Sequence, residues 1–326
     1  SKAQANMLSK VGIISADDNQ KLQIALDDIL KEIENGDFLI DENFEDVHSK
    51  IEAELILKTG DAGKMIHTAR SRNDQVLVAI QLFLKEYLTE TKTKVLELID
   101  ILVNKADEHK NDLMPGYTHF QAAMPSSFGM WFSAYAENLL SDLYFLDAAF
   151  KVADQNPLGS GAGFGTSFPI DRKATTKELG FSEMAVSSVG AQMLRGKSEK
   201  STAVAISMIC GTLSKMSYDL VMYNSQDMGF VKLPKEMTTG SSIMPHKKNP
   251  DVFELTRAHC NRLQGLPNDI ILTINNLPSG YHRDFQILKE ILFEPMVQFN
   301  DILDILIFAL PQIQITEGFM NQEKYD

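Results

Sequence analysis

The sequence is poor in cysteine and lacks long apolar runs. Its two cysteines, Cys210 and Cys260, stand in helix-like stretches without paired spacing, which favours neither a disulfide framework nor a metal site. The longest apolar candidate, near residues 302–310, is interrupted by Asp304 and falls short of the ~18 residues that a membrane span needs. No signal-peptide pattern opens the sequence. We therefore expect a protein of a reducing, cytoplasmic compartment that does not associate with membranes.

Positive charge is also scarce. The net charge is −13, with 31 Lys and Arg against 44 Asp and Glu, and this argues against nucleic acid, which binds a basic face. The cations that matter are concentrated in a few motifs, and a local positive pocket on an acidic protein suits a small anionic substrate. At 326 residues with 44% hydrophobic content, the chain is long enough for a large core and more than one domain.

Helical periodicity dominates the sequence, and no stretch with the period of a β-strand competes with it. Residues 75–113 contain neither glycine nor proline and carry apolar residues at helical spacing, which predicts one continuous helix. Four more long helices follow in the pattern, with kinks predicted at Pro267 and Pro295. Their approximate bounds are 126–155, 198–230, 250–276 and 284–310.

These helices predict an all-α protein built on a long five-helix bundle. Residues 1–36 are helix-like as well and end at Gly36, as a helix C-cap does. We therefore divide the chain into a small N-terminal helical domain over 1–70 and the central bundle over 71–318.

Residues 239–251, TGSSIMPHKKNPD, form the most unusual stretch. Gly240 frees the backbone beside a pair of serines, Lys247 brings positive charge near them, and Asn249-Pro250-Asp251 predicts a helix start. A serine becomes a base only where cations and backbone dipoles stabilise its alkoxide. Ser241 is the candidate base and Lys247 the candidate stabiliser. The alternative is a solvated Gly-Ser turn with its lysines in water.

Two further stretches carry candidate polar groups near helix starts. Arg70, Arg72 and Asn73 precede the first long helix and offer a planar fork and an amide suited to carboxylate recognition. The alternative is a charged helix entrance in which Arg72 pairs with Asp74. His48 follows two acidic residues at another helix start, where a histidine satisfied by a neighbouring carboxylate is at least as good an interpretation as a catalytic one.

Two connecting segments complete the candidates. Residues 114–125, MPGYTHFQAAMP, form a predicted turn that presents Thr118 and His119 together. Residues 156–172 are rich in glycine but lack the preceding strand and the Gly-Lys-Ser ending of a phosphate loop, so we predict close backbone packing there. At the entrance of the fifth helix, Gln286 and Lys289 share one face.

These motifs together resemble the fumarase/aspartase superfamily. Gly-Ser-Ser-x-Met-Pro-x-Lys-x-Asn-Pro is its signature, Gly-Tyr-Thr-His-x-Gln resembles its second motif, and Ser-Arg-Asn-Asp-Gln with Lys-Lys-Asn-Pro-Asp resembles the argininosuccinate lyases. The resemblance implies that Ser241 is the catalytic base, that Lys247 and Asn249 support the developing negative charge, and that His119 acts with Glu254 as proton carrier. It also implies a set of substrate-binding residues: Arg72, Asn73, Thr118, Asn249, Tyr281, Gln286 and Lys289.

The resemblance implies reversible elimination of fumarate from argininosuccinate to release arginine, without a cofactor or metal. It also implies a homotetramer whose sites each draw on three chains. Geometry agrees, because a helix over 75–113 is about 57 Å long and Arg72 and His119 stand at its opposite ends. The alternatives are another fumarate-forming lyase, of the adenylosuccinate lyase or aspartase type, and a crystallin-like structural protein with reduced activity.

The sequence departs from the family pattern in several places. His246 replaces a glutamine, and Ala-Ala-Met-Pro at 122–125 replaces Arg-Ala-Gln-Pro. The segment 180–200 lacks the usual Ser-Asp-Arg-Asp, which leaves Arg195 as a weak substitute. A preceding segment with a substrate-binding serine is expected to be missing, and 319–326 is expected to be the start of a C-terminal helical domain that is absent.

Overall fold

A computed structural model of the chain describes residues 1–240, 242–244 and 246–317. The α-helices among these residues are α1 (Lys2–Lys10), α2 (Ala16–Glu34), α3 (Val47–Thr59), α4 (Asp61–Met65), α5 (Arg72–Glu108), α6 (Phe128–Ala153), α7 (Arg172–Glu178), α8 (Ser188–Gln192), α9 (Lys197–Tyr223), α10 (Asp251–Leu263), α11 (Leu266–Thr273) and α12 (Ile287–Ala309). The strands are short: β1 (Leu113–Thr118), β2 (Gln121–Ser127), β3 (Gln155–Asn156), β4 (Glu183–Met184), β5 (Val231–Lys232) and β6 (Gln314–Ile315). The predicted all-α class is confirmed.

The first of two compact units comprises Ser1–Leu82, Asp154–Arg195 and Pro278–Tyr281. Its helices α1 to α4 surround an apolar cluster in which Leu8, Leu22 and Leu55 are fully buried. Polar N-caps fix where the helices begin, because a side-chain oxygen there accepts a backbone N–H that the helix leaves unpaired. Asp46 caps α3 in this way, and Ser15 and Asp171 cap α2 and α7.

The second unit comprises Phe83–Ala153, Gly196–Leu277 and His282–Asp326. Helix α9 packs against α6, α10, α11 and α12. The part of α5 in this unit joins the bundle through the Tyr87 hydroxyl, which donates to the Met296 carbonyl at 3.1 Å, and through an ion pair between Lys92 and Asp147 at 2.7 Å. The predicted long helices therefore form the predicted bundle, with α10 and α11 in place of the single helix expected over 250–276.

Proline explains that break. Pro267 stands in the first turn of α11, where its missing N–H costs nothing, so the chain starts a new helix there rather than kinking an old one. Pro295, by contrast, lies inside α12, as predicted. The last predicted helix begins at Ile287 after a 3₁₀ turn over Arg283–Gln286.

The prediction of a simple turn over 114–125 was wrong. Strands β1 and β2 pair as an antiparallel hairpin in which Pro115 lies opposite Pro125. Those prolines argue against strands in a sequence, yet a two-stranded ladder has only edges and tolerates them. His119 and Phe120 connect the strands with φ angles of 55° and 58°. A two-residue hairpin turn requires this left-handed backbone conformation at both central residues.

The domain boundaries proposed at residues 70 and 318 stay a prediction, and the segment 319–326 lies outside the described residues. None of the helices described in this chain is long and apolar enough to cross a membrane.

Candidate active site

Near the start of α5, the side-chain nitrogens of two arginines and a histidine surround one carboxylate of α3. Both terminal nitrogens of Arg72 lie 3.3 Å from the oxygens of Glu52, and His67 Nδ1 lies 3.1 Å from the same carboxylate. Arg70 Nη2 is 3.7 Å from it. Since Glu52 stands four residues after His48 on α3, the helix presents its acidic side chain to the arginines one turn beyond that histidine.

Arg70 and Arg72 differ in their access to a ligand. The Arg70 side chain is only 2% exposed, and burial lowers its pKa to about 10. The Arg72 side chain is 33% exposed and also donates to Gln75 Oε1 at 2.9 Å. Burial opposes the ionisation of the adjacent Asp46, but hydrogen bonds from Ser49 and the charge of Arg72 hold its pKa below the ordinary value. Arg72 is therefore the arginine of this pair that a substrate can reach.

Asp74 has a different set of partners from the one considered in the sequence. Its carboxylate accepts the N–H groups of Ser71, Gly159 and Gly161, each at 2.9 Å. The alternative in which Arg72 pairs with Asp74 is wrong, because Glu52 takes that role. Asp74 is fully buried, and burial raises its pKa despite the three hydrogen bonds. It ties the Arg72–Asn73 motif to the glycine-rich loop within the first unit.

The glycine-rich loop packs closely, as predicted. Gly159 and Gly161 have positive φ angles of 87° and 59°, which glycine adopts without strain. A side chain at Gly159 would meet Arg172 at 2.8 Å, and Arg172 itself donates to the Leu158 and Ala185 carbonyls at 3.0 and 2.7 Å. The loop is therefore held by buried polar contacts on both sides.

Thr118 and His119 lie at the exposed tip of the β1–β2 hairpin. Nearer its base, the Tyr117 ring packs against Phe230 with ring centroids 6.3 Å apart. The positive φ of His119 turns its side chain away from the direction that an extended strand would give it. The hairpin thus presents an imidazole at the end of a two-stranded arm.

The stretch of greatest interest in the sequence forms a loop closed at both ends. The backbones of Thr239 and Asn249 exchange hydrogen bonds of 3.3 and 2.9 Å. The Lys247 N–H donates to the Met244 carbonyl at 3.0 Å, and α10 begins at Asp251, as predicted. The candidate base Ser241 lies outside the described residues. The candidate stabiliser Lys247 is exposed.

Glu254 lies in the first turn of α10 and is exposed. In the described part of this chain its carboxylate makes no hydrogen bond or ion pair with His119, so the proton-carrier pair predicted from the sequence is not assembled within one chain. Gln286 is exposed at the end of the 3₁₀ turn that precedes α12, and Lys289 is exposed in the first turn of α12. Tyr281 belongs to the first unit, with Arg72 and Asn73.

The structure adds two polar groups that the sequence reasoning missed. The local pattern does not single out Glu52, because it lies in an ordinary amphipathic helix, although its spacing from Ser49 places both on the same face. For Asp74 the local pattern offers a surface pair with Arg72 as one alternative. Its position three residues after Ser71, at the start of a helix, is the signal that could have identified it as a capping group.

The described residues contain no group of three or more His, Cys, Asp or Glu side chains that could hold a metal ion. Other groups suited to chemistry are the loop over 239–249, the hairpin imidazole, the carboxylates described above and the arginines at the start of α5.

Known proteins resemble this chain strongly. A family model described as Lyase matches residues 1–265. The argininosuccinate lyase of Phocaeicola vulgatus is 51% identical over 325 residues, which are 100% of this chain and 73% of that protein. The argininosuccinate lyase of Bacteroides fragilis is 50% identical with the same coverage. Among solved structures, an EDDS lyase in complex with formate has a TM-score of 0.86 at 23% identity, and this chain spans 63% of its length.

Proposed function

Because this chain belongs to the lyase family, and within it to the argininosuccinate lyases, we propose that it eliminates fumarate reversibly from argininosuccinate and releases arginine. The observation that carries this proposal is 51% identity along the whole chain to a relative that bears that name. The solved structures support the fold only, and the substrate rests on the sequence relatives and on the residues discussed below.

The proposed reaction removes a proton and breaks a carbon–nitrogen bond. Ser241 takes the proton from the carbon next to a substrate carboxylate, and the electron pair left behind forms the double bond of fumarate as the bond to the guanidinium nitrogen breaks. His119, paired with Glu254, supplies the proton that the departing nitrogen requires. Lys247 and Asn249 stabilise the extra negative charge that develops on the carboxylate in the transition state.

The closed loop supports the role given to Ser241. The hydrogen bonds between Thr239 and Asn249 fix both ends of the segment that contains the serine and Lys247, so the loop can close over an anion without moving the start of α10. Loop closure of this kind excludes water and completes a catalytic group only when substrate is bound.

Substrate recognition falls to residues with planar or amide donors. Asn73, Tyr281 and Gln286 can hydrogen-bond an amino-acid head group, and Thr118 adds a hydroxyl, while Arg72 and Lys289 address carboxylates. Arg72 uses some of its donors on Glu52 but stays one-third exposed, which leaves N–H groups for a substrate. The sequence offers no tract suited to a purine or a ribose phosphate, and this separates the proposal from adenylosuccinate chemistry.

We also propose that the protein is a homotetramer whose active sites draw on several subunits. Helix α5 is continuous over 37 residues, about 55 Å at 1.5 Å per residue, and Arg72 begins it whereas His119 follows its other end. Large apolar side chains are exposed on the bundle helices, among them Tyr144, Leu255, Val297 and Phe308 at 60% or more. Packing against further copies would bury them.

A reducing, cytoplasmic location is part of the same proposal. Cys210 and Cys260 are both free and buried, and interaction with Cys260 together with burial raises the pKa of the Cys210 thiol. Free cysteines without a disulfide are typical of proteins in a compartment that keeps thiols reduced.

The deciding experiment follows fumarate formation from argininosuccinate, adenylosuccinate, aspartate and, by dehydration, malate, with no metal or nucleotide added. We expect argininosuccinate to be strongly preferred, because the donors named above match its head group and its carboxylates. Preference for any of the other three substrates would leave the family assignment standing and overturn the proposed substrate.

A further inference from the structure

The base of the β1–β2 hairpin is held by an imidazole that the proposed reaction does not use. His109 directly follows α5, and its Nδ1 donates to Asp112 Oδ2 at 2.7 Å, since a carboxylate can only accept. Its ring stacks on Phe132 of α6, with centroids 6.1 Å apart and planes 29° apart. The His109 side chain is only 13% exposed.

The backbone around this side chain joins three elements. The His109 carbonyl accepts the N–H groups of Asp112 and Gly129 at 3.1 and 3.0 Å, and the Asp112 carbonyl accepts the N–H of Phe128 at 3.0 Å. The end of α5, the start of β1 and the start of α6 therefore meet at one point. Both strands of the hairpin leave from it.

Among the described residues, the other nitrogen of the ring has no hydrogen bond that competes with the bond to Asp112. His109 Nε2 is buried and makes no hydrogen bond within the described part of the chain. It lies 3.6 Å from Glu108 Oε2, and Glu108 itself pairs with Lys105 at 3.3 Å. The contact with Asp112 is thus the one directional bond through which this side chain fixes the base of the hairpin.

Because the hairpin is long, a small change of its angle at the base displaces its tip by a larger distance. Strand β1 has six residues, so Thr118 lies about 20 Å from Asp112, and a tilt of about 3° at the base moves the tip by about 1 Å. A misplacement of that size costs a positioned catalytic group up to about 10²-fold in rate. Thr118, His119 and Phe120 are exposed, so packing within this chain does not hold the tip itself.

We propose that His109 and Asp112 form a clamp that aims His119, and that His109 is a positioning residue for proton transfer to the leaving group. The inference rests on the proposed function of His119. It predicts a larger effect on kcat than on KM, because the imidazole that serves the departing nitrogen is needed in the transition state, whereas Thr118 at the same tip contributes one hydroxyl to binding.

The test compares variants that keep or remove the clamp. His109→Phe keeps the ring against Phe132 but has no donor, whereas His109→Asn places an N–H near the position of Nδ1. We expect kcat to fall at least tenfold in His109→Phe, with a smaller rise in KM through Thr118 and an unchanged melting temperature, and to recover partly in His109→Asn. Lys110→Gln is the matched control, because it breaks an exposed pair with Asp107 in the same turn and should leave kcat unaltered.

A double-mutant cycle with Asp112→Ala isolates the contact. If the clamp exists, the losses in kcat of His109→Phe and Asp112→Ala are not additive. Additive losses, an unaltered kcat in His109→Phe, or an equal loss in Lys110→Gln would each overturn the inference.

Amide hydrogen exchange along residues 113–127 separates this inference from the proposed function. Faster exchange at the hairpin tip in His109→Phe supports the clamp whether or not the protein turns over argininosuccinate, and unchanged exchange contradicts it. Absence of turnover in the native protein would instead contradict the proposed function, since the exchange measurement does not depend on substrate.

Discussion

At the start of α5, two carboxylates have opposite kinds of partners. Glu52 binds the Arg72 guanidinium at 3.3 Å and the His67 imidazole at 3.1 Å, whereas the Asp74 carboxylate accepts the backbone N–H groups of Ser71, Gly159 and Gly161. The first arrangement leaves an arginine that a ligand can still reach. The second fixes the backbone on which that arginine and Asn73 stand, so a change at Asp74 acts on the site through its geometry.

Asp74→Asn is expected to lower the free energy of unfolding by about 1–3 kcal/mol at neutral pH, because the amide N–H₂ of asparagine would face backbone donors and leave them unpaired. Urea unfolding measures the loss. Asp142→Asn is the matched control: burial also raises the pKa of Asp142, but its partner is the Thr212 hydroxyl, which donates to it at 2.6 Å and can rotate to suit an amide, so the same substitution should cost less. Equal losses would contradict the account given for Asp74.

The pKa shift of Asp74 adds a dependence on pH. Its pKa is raised from the ordinary value of 3.8 by burial, so the folded state holds the proton more tightly than the unfolded chain does. The contribution of Asp74 to stability therefore falls as pH rises from that ordinary value through the raised one. The difference in stability between the native protein and Asp74→Asn should be larger at low pH than at neutral pH, and a difference independent of pH would count against the shift.

Ser241 and Ser242 allow a sharp test of the proposed base. Ser241→Ala should reduce kcat by about 10²- to 10⁴-fold, the range typical of a lost general base, while the melting temperature stays unchanged. Ser242→Ala removes the neighbouring hydroxyl and should retain far more activity. A Ser241→Ala protein with near-normal kcat would refute the assignment.

Among the elements, α5 and α6 meet unusually closely where the hairpin begins. A side-chain carbon at Gly129, in the first turn of α6, would lie 2.5 Å from Lys110 Cα and 2.6 Å from the Ala106 carbonyl oxygen. Both are backbone atoms that cannot turn aside. The absence of a side chain at this position lets α6 approach the end of α5 closely enough for the Gly129 N–H to reach the His109 carbonyl.

Gly129→Ala is therefore expected to destabilise the fold by about 1–3 kcal/mol, the usual cost of forcing extra volume into a packed contact. Gly211→Ala, in the middle of α9, is its matched control. A side chain there would meet only Gln264 Oε1, at 3.6 Å, so the gain in helix propensity should stabilise the protein by about 0.5–1 kcal/mol. Chemical unfolding of the two variants should give shifts of opposite sign, and shifts of the same sign would contradict the close approach.

For the whole molecule, the length of α5 sets the main constraint on the proposed site. Arg72 is the first residue of this helix and His119 follows its end, and His119 makes no polar contact with Glu254 among the described residues. In the proposed assembly, the exposed apolar side chains of the bundle would be the surfaces that pack against further copies. A site assembled from several subunits accounts for both observations.

Subunit mixing tests this arrangement. A protein with His119→Asn and a protein with Arg72→Gln should each be inactive, yet random reassembly should restore on the order of one quarter of the sites, since a site that draws the two residues from different chains can receive both intact. The control mixes the His119→Asn protein with a protein that carries both substitutions. Because none of the chains in that mixture has an intact His119, activity should not return. No recovery despite proven exchange of subunits would contradict the shared site.

The amino-acid sequence by itself determined the class of the fold and the motifs. Apolar residues that recur every three or four positions predict an amphipathic helix, so α5, α6, α9 and α12 were predictable from local pattern, and α5 most clearly because it contains neither glycine nor proline. The signature over 239–251 needed no tertiary information either, because its meaning lies in the order of the residues.

Tertiary structure alone decided which polar side chains meet. Pairing of β1 with β2 overrode the two prolines because hydrogen bonds across the ladder join residues 113–118 to 121–127, which no local propensity encodes. The partners of Asp74 lie 85 and 87 residues away along the chain, and Glu52 reaches Arg72 across 20 residues. Contacts at such separations depend on how helices pack, so a sequence pattern names the candidates but not their partners.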